Sequence, residues 1–193
     1  MKAIILAAGY ATRLYPLTKD TPKALLPVAG RTILDRLLDG MRAIPEIDHI
    51  HLVTNHRFAP AFEEWRQTAQ VHCPITVHDD GTTSNEDRLG AVGDIAFVLE
   101  RAGIDDDLFV AASDNLFTFP LSDFAADFAA MAGICFLVRG LTMWIRCGAM
   151  PWLRWMGKTA CFRWWKSHRS RRATLASVPF ISTGGIRLRC FRP

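Results

Sequence analysis

Three residues near the start of the chain could do chemistry together. They are Gly9, Arg13 and Lys23, in LAAGYATRLYPLTKDTPK (6–23). An apolar run breaks at Gly9, where the backbone can turn sharply off a strand and come close to a ligand. Successive loop N–H groups beyond such a turn can surround phosphate oxygens. Arg13 and Lys23 would add charge-assisted bonds to the same anion. The chemistry implied is capture of a polyphosphate. The loop is not a Walker A motif, since GxxxxGK[ST] is absent. Nor is it GxGxxG, because Ala11 and Leu14 stand where the second and third glycines belong. A glycine after a strand also makes an ordinary turn, and isolated cations are often solvated surface charges.

These residues need a scaffold. KAIILA (2–7) is short, apolar and ended by glycine, which predicts a buried strand, with a loop over 8–22. Thr32 caps a predicted helix through about Ala43, with Ile33, Leu34, Leu37, Leu38 and Met41 on one stripe. Strands are predicted at 49–55, 75–79 and 107–112, and helices at 58–69, 89–102 and 121–131. Strands alternating with helices at this spacing imply right-handed βαβ units and an α/β, Rossmann-like parallel sheet with flanking helices. Ligands bind such sheets beyond the carboxyl ends of the strands. The first loop and the Ser113-Asp114-Asn115 turn both fall on that edge.

Composition sets limits. The chain has 193 residues and is half apolar, enough for one domain with a core. The apolar run after Lys2 is too short for a signal peptide and no run is long enough to span a bilayer. The five Cys form no CxxC pair, which argues against a zinc ribbon or a disulfide framework and for a cytoplasmic protein. The six His show no metal-ligand spacing and are expected at surface or strand-end positions. Asp105-Asp106-Asp107 reads as a solvated turn.

The string LAAGYATRLYPLTKDTPKALLPVAGRTILD resembles the signature of the sugar-phosphate nucleotidylyltransferases, LAAGxGTRLxPLTxxxPKxLLPV. The resemblance continues through VTNHRF, EDRLGAVGDI and VAASDNLF, covering roughly residues 1–130. It implies transfer of NMP from an NTP (UTP or dTTP) to a sugar-1-phosphate, with release of pyrophosphate. It also implies a nucleotide-diphospho-sugar transferase type of fold. Leu6, Ala8, Gly9 and Thr12 would line the nucleotide, Ala8 and Gly9 contacting base and sugar by backbone. Arg13 would bind the triphosphate and Lys23 the reacting phosphates. Arg88-Leu89-Gly90 would read the base, and Asp114 would hold Mg²⁺. Cations and Mg²⁺ suit this reaction because two anions must approach each other. Two departures stand out: Ala11 replaces the second loop glycine, and Ser113 replaces the usual glycine before Asp114. Other readings are a phosphocholine-cytidylyltransferase-like enzyme of the same fold and a non-catalytic nucleotide-binding remnant. The resemblance leaves the sugar, the base and the oligomeric state open.

Residues 136–193 differ in kind. All 19 Asp and Glu lie in 1–127, whereas 128–193 holds 12 Lys and Arg, five of six Trp and four of five Cys. The family's E-K-P motif and second metal-binding Asp are absent from this part. Met and Trp have single codons, so some DNA can be reconstructed. Read two bases late, Met143-Trp144-Ile145 becomes Val-Asp, Trp155-Met156-Gly157 becomes Asp-Gly, and Trp164-Trp165-Lys166 becomes Val-Glu. With an AGY codon at Ser167, the last can continue as Lys-Pro. One shift restores acidic residues three times and permits the missing motif. The expectation is therefore an NTP-binding domain over 1–135 and a basic, Trp-rich tail over 136–193 that is out of frame, without a clean strand or helix pattern and poorly ordered. The chain would then be truncated and its activity impaired. A face-value reading as a nucleic-acid or membrane segment lacks an RNP motif, a zinc site or an amphipathic period.

Overall fold

A computed structural model of the chain describes residues 1–130, together with the backbone of 134–138, 141–145 and 173–175. Strand β1 (Lys2–Leu6) is followed by a small antiparallel pair, β2 (Pro27–Val28) and β3 (Arg31–Thr32). Then come α1 (Ile33–Met41), β4 (His49–Thr54), α2 (Ala59–Thr68), β5 (Ile75–Asp79), α3 (Gly90–Ala102), β6 (Leu108–Ala112) and α4 (Leu121–Ala130). Backbone strands β7 (Ile134–Val138), β8 (Leu141–Ile145) and β9 (Ala173–Leu175) complete the set.

The main sheet runs β5-β4-β1-β6-β9-β7-β8. Its first four strands are parallel, with β1 central between β4 and β6. This is the α/β parallel sheet that the alternation of elements implies. The order also places the loops after β1 and β6 side by side at the carboxyl edge. The Thr32 side chain accepts a bond from Asp35 N at 3.0 Å, the expected cap for α1.

Alternation along the strands divides the core. Ala3, Ile5, Ile50, Leu52, Phe109 and Ala111 face α1, α2 and α4. Ile4, Val53, Leu108 and Val110 face α3.

Three expectations need correction. His51, in mid-strand, and His78, next to last in β5, are both buried, and His51 Nδ1 lies 2.9 Å from His78 Nε2. Strand pairing puts both imidazoles on the α3 face, so neither is a surface residue. Asp106 is no purely solvated turn: its carboxylate lies 3.2 Å from the N-terminal ammonium. In the tail, the apolar run LTMWI pairs antiparallel with β7, and β9 joins β6, so short strands do form beyond residue 135. The rest of the tail, and the expectation of poor order there, lies outside the described residues.

Candidate functional site

The site is built on the turn where β1 ends. Ser113 N donates to Leu6 O (3.0 Å) and Ala7 N to Val53 O (2.8 Å), which extends the sheet by one step on each side of the loop. Asn55, fully buried, then fixes the loop from the β4 side. Its Nδ2 donates to Ala8 O (3.0 Å), while its Oδ1 accepts from Phe58 N (3.1 Å) at the start of α2. One side chain therefore orients the loop backbone and holds the turn that leads into α2.

Gly9 is exposed and does not adopt a left-handed conformation. A Cβ built on Gly9 would meet nothing within 4 Å. Protein packing does not require glycine here, and the bare backbone is what a close-approaching ligand would need. The strained turn falls two residues later. Ala11 has φ 48° and ψ 38°, the left-handed region that disfavours a Cβ. Thr18, fully buried, pins it by donating to Ala11 O at 2.8 Å. A short 3₁₀ turn over Thr12–Leu14 follows and leaves Thr12 and Arg13 exposed. Among the described residues no ion pair engages Arg13.

Lys23 and Asp114 stand 91 positions apart in sequence, and the fold brings them together. Lys23 Nζ lies 2.8 Å from Asp114 Oδ2, both side chains about 40% exposed (38% and 40%). Neither is the isolated surface charge that each could have been. Lys23 starts a second 3₁₀ turn, Lys23–Leu25, anchored by buried Ala24. Asp114 follows directly from β6, after buried Ser113.

The Arg88-Leu89-Gly90 segment opens α3. Gly90 has φ +74°, and Arg88 Nη1 donates to Asn85 Oδ1 at 3.3 Å. Ahead of it, Asp87 accepts from Thr83 N and Ser84 N, and those backbone bonds hold its carboxyl below the usual range. Asp80 Oδ1 accepts from both Thr82 N (2.8 Å) and Thr82 Oγ1 (2.7 Å). Tyr10, buried in the first loop, donates its hydroxyl to Thr82 O at 2.9 Å and so joins the two segments. Burial pushes the Tyr10 phenol up.

Sequence reasoning passed over Asn55, Thr18 and Tyr10. An Asn directly after a strand and ahead of a helix is a legible turn signal. The bonds made by Thr18 and Tyr10 carry no local signature.

Among the described residues no group of three or more His, Cys, Asp or Glu could cage a metal. Asp114 offers one accessible carboxylate. That donor set suits Mg²⁺, which takes one or two protein carboxylates and keeps phosphate and water ligands. Arranged along one edge are open backbone at Gly9, cations at 13 and 23, and a carboxylate at 114.

Residues 2–143 match the nucleotidyl transferase family. The chain belongs to that family. Its similarity to individual members is partial. A candidate mannose-1-phosphate guanyltransferase of Sulfolobus acidocaldarius is 33% identical over 114 residues, 59% of this chain and 30% of that protein. The N-acetylmuramate alpha-1-phosphate uridylyltransferase of Caulobacter vibrioides is 44% identical over 61 residues, 32% of this chain and 24% of that protein. The chain thus spans less than a third of the length of either relative. A crystal structure of a UDP-glucose pyrophosphorylase complexed with UDP-glucose superposes with a TM-score of 0.57 at 19% identity, covering 70% of this chain and 56% of that one. This last likeness concerns the fold. No described helix of this nucleotidyl transferase family member is long and apolar enough to cross a membrane.

Proposed function

We propose that residues 1–135 bind a nucleoside triphosphate, UTP or dTTP, along the carboxyl edge of β1 and β6. In the full reaction a sugar-1-phosphate oxygen attacks the α-phosphorus and pyrophosphate leaves. The observation that carries this reading is the Lys23–Asp114 contact at the mouth of the loop after β1. The match to the nucleotidyl transferase family supports the same reading. A cation and a carboxylate held together there can each turn to a ligand, Lys23 to phosphate oxygens and Asp114 to Mg²⁺. Mg²⁺, when bound, would supply charge neutralisation at the reacting phosphates. Leu6, Ala8, Gly9 and Thr12 line the nucleotide, Arg13 binds the triphosphate, and Arg88-Leu89-Gly90 reads the base. The protein works in the cytoplasm on small-molecule substrates and not on nucleic acid.

The tail over 136–193 is proposed to be out of frame, so this chain turns over slowly or not at all. Resequencing codons 125–195 tests that directly: an uninterrupted frame there ends the proposal. The nucleotide site is tested by titrating UTP and dTTP into wild type, Arg13→Ala and Lys23→Ala. Removing a charge-assisted phosphate contact weakens binding by about tenfold or more. Unchanged titration curves in both variants overturn the phosphate assignment.

A further inference from the structure

Two carboxyls with buried, unpartnered oxygens, Asp94 and the Asp80 already met in its turn, lie at the seam between α3 and the end of β5. Asp94 is 5% exposed, and its Oδ1 has no hydrogen-bond partner. Asp80 commits Oδ1 to Thr82 and leaves a buried Oδ2 without a partner. Unpaired buried carboxylate oxygens are costly, and two negative charges in one seam are costlier still. A proton on Asp94 removes one of the two charges.

The seam lies between the two segments assigned to the nucleotide. Asp94 is four residues, one helical turn, after Gly90, so it shares a face of α3 with the proposed base-reading start. Asp80 folds the turn whose Thr82 carbonyl receives the Tyr10 hydroxyl of the first loop. The state of the seam therefore bears on how both loops sit.

We propose that Asp94 is a positioning residue for nucleotide binding: as a neutral carboxylic acid it lets the first turn of α3 seat against the Asp80 turn, and as a carboxylate it pushes the two apart. This rests on the reading of 88–90 as nucleotide-binding. Burial, helped by the nearby Asp80 charge, pushes the Asp94 carboxyl up to about 7. The groups around it are few. From β1 and β4, α3 meets apolar Ile4 and Val53. Tyr10 responds to Asp80, Asp87 and Arg57. His78 responds to Arg101, two turns further along α3. Asp80 is the charged group that acts on Asp94.

The test compares wild type, Asp94→Asn and Asp80→Asn between pH 6 and 8.5. One readout is UTP affinity. The other is amide exchange over 80–94 in the free protein, corrected for the intrinsic pH dependence. UTP titrates equally in all three proteins, so differences between them report on the seam. In wild type, exchange protection should fall and the Kd for UTP should rise about three- to tenfold across this range, beyond the change in Asp94→Asn. Asp94→Asn should bind at least as well as wild type at pH 8 and show a flat exchange profile. Asp80→Asn, which removes the opposing charge, should shift the wild-type transition to lower pH. Equal pH dependence in wild type and Asp94→Asn overturns the inference and leaves nucleotide binding standing. Failure of all three proteins to bind UTP or dTTP at any pH overturns the functional reading, and the positioning role with it.

Discussion

The two faces of the sheet are built from the same strands and packed on different principles. Toward α1, α2 and α4 the strands present Ile5, Leu52, Phe109 and their neighbours, and the cluster there, including Phe62 and Trp65, is apolar throughout. Toward α3 the apolar cluster is small and gives way to His49, His51 and His78 at one end of the seam and Asp94 at the other. The His49 and His51 rings stack at 4.3 Å, and His51 meets His78 at 2.9 Å. One face is an apolar anchor. The other holds groups whose charge matters, beneath the helix whose first residues are assigned to the base. A fold that must both persist and respond can divide the two tasks in this way.

The largest effect should come from breaking the anchor. Phe62 is fully buried, so Phe62→Ala removes its packing and leaves a cavity. The cost is about 3–5 kcal/mol, measured as a shift in the urea midpoint. The loss should be the same at pH 7.5 and pH 5.5, because no imidazole or carboxylate is among that cluster's own residues. A strongly pH-dependent loss would erase the distinction between the faces.

The opposite face should show the complementary behaviour. Burial and neighbouring histidines push His51 down to about 4, and burial lowers His78 as well. In the unfolded chain both imidazoles take up a proton near pH 6.5. The folded state resists that uptake, so its stability is fully present above about pH 6.5 and is lost as pH falls toward the folded values. The limiting slope is about 1.4 kcal/mol per pH unit for each histidine. Between pH 7 and 5 the wild type should lose roughly 2 kcal/mol, and the double variant His51→Leu/His78→Val should lose much less. Parallel stability curves for the two proteins would show that the pair does not govern this window.

The same contrast explains what could be read from residues alone. The α1 stripe, the Thr32 cap, the alternation of strands and helices and the four parallel strands are local or periodic signals, and they survive into the structure. Lys23 and Asp114 were each identified within their own motif, and the fold supplied their contact. Other features depend on pairing across the chain. The alternation of HIHLVT on β4 is clear, but only the register with β5 shows that His51 and His78 share a buried face. Asp94 looks like any polar position of a surface helix until α3 is docked on β1 and β4. The two-residue strands of the β2–β3 pair are too short to carry a period. Tyr10, Thr18 and Asn55 act through bonds to carbonyls, which any sequence offers everywhere.

The smallest expected effect concerns Ala11, whose left-handed backbone leaves a methyl group where the family signature has glycine. Holding alanine in that conformation costs about 1–2 kcal/mol. Ala11→Gly relieves the strain but also frees the unfolded chain, which offsets about 0.4–1 kcal/mol. The net gain should be about 0.5–1 kcal/mol, read from the urea midpoint, with Thr18 still holding the carbonyl of residue 11. The informative quantity is whether binding follows stability. If the Ala11 methyl crowds the phosphate cradle, UTP affinity should rise by more than the stabilisation accounts for. If affinity is unchanged while stability rises, the methyl is a backbone matter alone, and the first loop is tuned through Gly9, Arg13 and Lys23.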